Sequence, residues 1–129
     1  MLDNDTVSRL LRGKDGVDNI VFQRDIEELR MSAITEAELL YDLKRKPEAT
    51  RMQRVVKELL DRVKVLPWDS AAAACYGELR AFMERSGRAY LPEDILIAAH
   101  AQAAGAILVS ANIAFREVPG LVVENWSES

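Results

Sequence analysis

Three carboxylates stand where they could do chemistry together. Asp3 ends an opening apolar pair, Glu38 lies in Thr35-Glu36-Ala37-Glu38-Leu39, and Asp94 lies in Leu91-Pro92-Glu93-Asp94-Ile95. Brought into one cleft, three ionised carboxylates repel each other strongly unless a cation stands between them. A hard divalent cation removes that repulsion. Mg²⁺ or Mn²⁺ accepts oxygen ligands, keeps several waters and binds substrate phosphate through its open positions. Asn112 offers an amide that orients a water or a phosphate oxygen without adding charge, and the Ser110 hydroxyl can do the same. Asp5 is a further acid beside the first. Arg9, Arg12 and Lys14 near it, and Arg85 and Arg88 ahead of Asp94, are cations able to grip phosphate.

Each of these residues also has an ordinary explanation. Thr35-x-x-Glu38 reads as a capping box, in which threonine and glutamate satisfy free backbone donors at a helix start. Asp94 can complement a helix dipole, and Asp5 can be a solvated first-turn acid. Asp3 has no capping job unless a helix starts at once. The arginines and lysines serve solubility, and Lys44-Arg45-Lys46 suits a helix end. His100, among alanines on an apolar helix, reads as a core or interface residue rather than a general base. Cys75 has no partner base, so a thiol nucleophile is not expected. Trp68 and Trp126 read as packing residues.

Composition narrows the chemistry. At 129 residues the chain makes one domain, expected to span residues 1–129, and 49% hydrophobic residues fit a globular class. No apolar run approaches the roughly 20 residues of a membrane span, and no signal peptide opens the chain, so a cytoplasmic location is expected. One cysteine and one histidine exclude a disulfide framework and a soft-ligand metal site, so any metal must be held by oxygen. A net charge of −4 argues against nonspecific coating of nucleic acid, which needs many Lys and Arg. A nucleic-acid substrate would need a local basic rim.

The elements that must position the acids alternate between strand and helix. Met1-Leu2-Asp3 reads as the end of a short strand, followed by a helix from Thr6 to Arg12 stopped at Gly13. Residues 15–28 are loosely helical. Strands are expected over 29–34, 63–66, 106–109 and 121–123. Helices are expected from Thr35 to the Lys44-Arg45-Lys46 cluster, from Pro47 to Arg62, from Asp69 or Ser70 to Gly87, and from Pro92 to Gly105. The last of these is almost wholly apolar and therefore central. The pattern predicts an α/β fold, a short parallel twisted sheet of about five strands with helices on both faces. Ligands of such sheets bind beyond the carboxyl ends of the strands, where strand order reverses. Asp3, Ser110 and Asn112 follow strands directly, and Glu38 and Asp94 lie in first helical turns.

Over nearly its whole length the chain resembles the PIN-domain ribonucleases, and within them the VapC-type toxins of bacterial toxin and antitoxin pairs. The resemblance is carried by Met1-Leu2-Asp3 with Asn4-Asp5-Thr6, Ser32-Ala33-Ile34-Thr35-Glu36-Ala37-Glu38-Leu39, Leu66-Pro67-Trp68-Asp69, Pro92 to Ala101, Leu108-Val109-Ser110-Ala111-Asn112 to Phe115, and Val118-Pro119-Gly120-Leu121 to Trp126. It implies a PIN-like fold in which Asp3, Glu38 and Asp94 hold Mg²⁺ or Mn²⁺, with Asn112 where many relatives have aspartate. It further implies metal-assisted hydrolysis of RNA phosphodiesters, in tRNA or ribosomal RNA, a cognate VapB-type antitoxin as partner, and a homodimer within the complex. Three positions depart from the family pattern: Asn4 replaces a hydroxyl residue, Asp42 a frequent glycine, and Ser110 a threonine. Two rivals remain open at this level. One is a noncatalytic PIN-like module that binds RNA or protein. The other is a haloacid-dehalogenase-like phosphatase, since Asp3-Asn4-Asp5-Thr6-Val7 matches that family's Asp-x-Asp-x-Thr/Val opening with Asp3 as nucleophile.

Overall fold

The computed structural model describes residues 1–12, 29–87 and 90–126. Chain order is α1 (Asn4–Arg12), β1 (Arg30–Ser32), α2 (Ala33–Arg45), α3 (Thr50–Arg62), β2 (Lys64–Leu66), α4 (Ser70–Ser86), α5 (Pro92–Ala103), β3 (Leu108–Val109), a 3₁₀ turn (Ile113–Glu117) and β4 (Val123–Glu124). The helix expected over 15–28, together with Gly13, Lys14 and Arg88, lies outside the described residues.

The strands are parallel and very short. β1 pairs with β2 through Met31 and Val65, and β3 pairs with β4 through Leu108 and Val123. Residues 1–3 join the two halves. Leu2 bridges Val109 in parallel, its amide donates to the Arg30 carbonyl at 3.0 Å, and the Asp3 amide donates to the Val109 carbonyl at 3.1 Å. The spatial order is therefore β2, β1, residues 1–3, β3, β4, so the expectation of about five parallel strands holds with residues 1–3 as the central one. Strand order reverses between residues 1–3 and β3.

The alternation of a strand distributes the core over both faces. Met1 and Leu108 pack with Leu79 and Met83 of α4, Ile97 of α5 and Phe115 of the 3₁₀ turn. Their neighbours Leu2 and Val109 point the other way, onto Val7 and Leu11 of α1, Leu39 of α2 and Val56 of α3. Helices thus cover both faces, as expected.

Local chemistry sets most helix ends. The Asp69 carboxylate accepts from the Ala72 amide at 3.0 Å and caps α4, which stops at Gly87 in the left-handed conformation (φ 65°). Pro92 occupies the start of α5, and Gly105 (φ 64°) follows its end. Two boundaries differ from expectation. β1 stops at Ser32 rather than running to Ile34, because the Ser32 hydroxyl accepts from the Ile34 amide and starts α2 at Ala33. Pro47 lies in a turn instead of opening α3, which begins at Thr50 after the Ala49 amide has bonded back to Lys46.

Candidate active site

Asp3 leaves the central strand directly into α1, which starts at Asn4 and not at Thr6. Its Oδ1 accepts from the Thr6 amide at 2.8 Å, and the Thr6 hydroxyl donates to the Val109 carbonyl at 3.1 Å. The helix starts at once, which is the condition under which Asp3 has a capping job. The cap fixes a carboxyl group, 4% exposed, at the point where strand order reverses.

Glu38 shows the opposite correction. Ser32, not Thr35, caps α2, so Thr35 lies inside the first turn and Glu38 one turn further on. No capping box forms. Glu38 is exposed, with no backbone donor to satisfy, while Thr35 is buried and its Oγ1 has no hydrogen-bond partner among the described residues.

Asp94, half-buried in the first turn of α5, is the most perturbed carboxyl group among the described residues. Burial pushes its pKa from 3.8 up to about 6, helped by the negative charges of Asp3, Glu93 and Asp5 in that order. The crevice end of the sheet thus holds Asp3 and Asp5 close enough to Asp94 to disfavour its ionisation. Among the described residues, no three His, Cys, Asp or Glu side chains stand together at metal-ligating separation, and the charge of Asp3 acts on Asp94.

Asn112 caps the 3₁₀ turn, its Oδ1 accepting from the Ala114 amide at 3.0 Å, and its own amide donates to the buried Ser110 hydroxyl at 3.1 Å. Ser110 and Asn112 therefore form a local scaffold just past β3. Arg9 is paired with Asp5 at 2.9 Å, and Arg12 sits at the far end of α1, about 13 Å along the helix from Asp3. Arg12 lines a groove with Leu11, Leu39, Leu43 and Met52.

The residues present fit a hard divalent cation. Every candidate donor is oxygen, Asp94 is a carboxyl group whose charge lacks compensation, and the buried Asn4 Oδ1 has no partner among the described residues. Sequence reading passed over Thr35 as a cap and His100 as core. Ser32, three residues ahead of Thr35, was the signal that the helix starts earlier. His100 is 3% exposed, and its Nδ1 lies 2.9 Å from the Ser32 Oγ.

A parallel α/β sheet with buried and half-buried acids at its switch point places them where ligands of such sheets bind. The family model described as the PIN domain matches residues 1–121. The chain is 33% identical to the tRNA(fMet)-specific endonuclease VapC of Shigella flexneri, over 98% of its own length and 97% of that relative's. It is 35% identical to ribonuclease VapC2 of Haemophilus influenzae, over 81% and 80% of the two chains. Among solved structures, VapBC2 from Rickettsia felis bound to a promoter DNA fragment superposes with a TM-score of 0.85 at 29% identity, covering 98% of this chain and 97% of that one. The chain belongs to the PIN-domain family and, within it, to the VapC ribonucleases. The phosphatase rival is set aside: Glu93 and Asp94 open a helix, where that family needs a paired acid after a strand.

Proposed function

We propose that the chain is the toxin of a type II toxin and antitoxin pair, an endoribonuclease that hydrolyses tRNA or ribosomal RNA with Mg²⁺ or Mn²⁺ held by Asp3, Glu38 and Asp94. The observation that carries the reading is the pairing of Asp3 with Asp94 at the switch point, where burial and mutual repulsion raise the Asp94 pKa to about 6. When bound, the ion supplies a lowered water pKa and stabilisation of charge on the phosphodiester in the transition state.

The chain's own residues do the rest. The α1 cap holds one Asp3 oxygen toward the Thr6 amide and leaves the other for the crevice. Asp94, fixed at the head of a helix buried on nearly every side, places its carboxylate where α5 faces the strand ends. Glu38, on an exposed turn of α2, would supply the third carboxylate to the ion. Asn112 holds its amide in place through its cap, and Ser110 holds Asn112. Asn4 and Asp5 border the same end of the sheet.

A cognate VapB-type antitoxin is the expected partner, with two toxin copies in the complex, and the proposed setting is the cytoplasm. No helix among the described residues is long and apolar enough to cross a membrane. The test is incubation of purified, antitoxin-free protein with total cellular RNA plus Mg²⁺ or Mn²⁺, beside EDTA and Asp3→Asn controls, with 5′ ends mapped. Discrete cuts that vanish in both controls support the reading. RNA bound but uncut under every metal favours the noncatalytic binding module.

A further inference from the structure

His100 is the chain's single histidine, buried, and takes no part in the chemistry proposed above. It lies on α5, the helix that carries Asp94, yet it bonds to the end of β1. Its Nδ1 is 2.9 Å from the Ser32 Oγ. In the neutral tautomer with Nδ1 unprotonated, the ring accepts from the Ser32 hydroxyl. Ser32 ends β1 and Pro67 follows β2, and these two strands are neighbours in register, Ser32 opposite Leu66. Met31 faces the α1 side of the sheet, so alternation turns Ser32 toward α5.

Ser32 is also the cap of α2, accepting from the Ile34 amide at 3.1 Å. One hydroxyl thus starts the helix that carries Glu38 and ties it to the helix that carries Asp94. The arms are equal. Asp94 precedes His100 by six residues and Glu38 follows Ser32 by six, so each acid stands about 9 Å from the joint along its helix. A tilt of about 10° at the joint would move either carboxylate by about 1.6 Å over such an arm. Metal ligation tolerates only about 0.2 Å. A second tie holds α5 nearby, where the Trp68 indole donates to the Leu96 carbonyl at 3.0 Å.

We propose that His100 and Ser32 act together as positioning residues, a buried hydrogen-bonded joint that sets the angle between α2 and α5 and so the separation of Glu38 from Asp94. This rests on the reading of those acids as the metal site. The experiment uses the purified full chain in four variants, Ser32→Ala, His100→Leu, the double variant and Ser32→Thr. Mn²⁺ affinity is read by EPR titration, RNA cleavage is resolved into kcat and KM, and Val56→Ala serves as a destabilised control whose core site lies on the opposite face.

Each single loss is expected to weaken Mn²⁺ binding roughly tenfold, as disrupted outer-shell partners do. The double variant should be no weaker than the worse single, kcat should fall while the KM for RNA holds, and Ser32→Thr should restore both. Val56→Ala should keep wild-type affinity despite a lower Tm. Mn²⁺ affinity within twofold of wild type in Ser32→Ala and His100→Leu would overturn the joint, as would a loss in Val56→Ala that tracks its Tm. Should His100→Leu fail to fold, Ser32→Ala decides by the same criteria. A wild-type chain that neither binds Mn²⁺ nor cuts RNA refutes the metal site itself, an outcome read before any variant.

Discussion

Asp94 carries a charge that the fold disfavours, and its removal should stabilise the protein at neutral pH. Its carboxyl pKa rises from 3.8 to about 6 in the folded chain, first through burial and then through Asp3, Glu93 and Asp5. The folded state therefore binds the proton more tightly than the unfolded state does. Stability is highest below the unfolded value, falls as pH rises from about 4 to about 6, and is flat above. At about 1.4 kcal/mol per unit the shift sets a ceiling near 3 kcal/mol. Asp94 is only half-buried, and solvent screening leaves about half of that. The positive end of α5 returns about 0.5 kcal/mol to the carboxylate, which leaves a net of about 1 kcal/mol. Asp94→Asn keeps the shape and drops the charge, so at pH 7.5 in EDTA its Tm should exceed wild type by ~4 °C. The gain should disappear by pH 4. Added Mn²⁺ should raise the wild-type Tm and leave the variant unmoved. Thermal melts across that pH range are the assay. An Asp94→Asn chain no more stable than wild type at pH 7.5, or a gain that persists unchanged at pH 4, would refute the account of that carboxyl group.

Glu38→Gln should leave urea stability within about 0.5 kcal/mol of wild type, because the side chain is exposed and caps nothing, while metal-dependent RNA cleavage falls by two orders of magnitude or more. Asp3→Asn keeps a capping oxygen and should fold normally yet lose cleavage, whereas Asp3→Ala loses the Thr6 bond as well and should cost about 1 kcal/mol in denaturant melts. Gly87→Ala places a side chain at φ 65° and should lower stability by about 1 kcal/mol with no effect on cleavage. A stabilising Gly87→Ala would show that the end of α4 relaxes away from the left-handed turn.

The fold class was legible in the alternation of strands and helices and in the resemblance carried by scattered short motifs, and the central helix in its almost wholly apolar run. Helix ends were legible wherever one residue's backbone chemistry decides the matter: Asp69 and Gly87 on α4, Pro92 and Gly105 on α5. The starts of α1 and α2 were misplaced by two residues each, and that small shift exchanged the explanations of two acids. Asp3 gained a cap and Glu38 lost one. Thr35 and Ser32 are both good caps three residues apart, so sequence alone does not choose between them. The choice came from His100, 68 residues away, which holds the Ser32 hydroxyl at the end of β1. The strands were overestimated because a run of apolar residues marks what is buried, and burial here extends past the two or three residues that pair.

By itself, then, the sequence determined what acts over a few bonds: which residues can turn, cap, alternate between faces or carry a charge. Only the tertiary structure decided which distant groups meet. It set the strand order with residues 1–3 at the centre, the repulsion between Asp3 and Asp94, and the bond that joins Ser32 to His100. Those contacts depend on closing long stretches of chain and packing both sheet faces at once, and no local pattern of residues encodes the outcome.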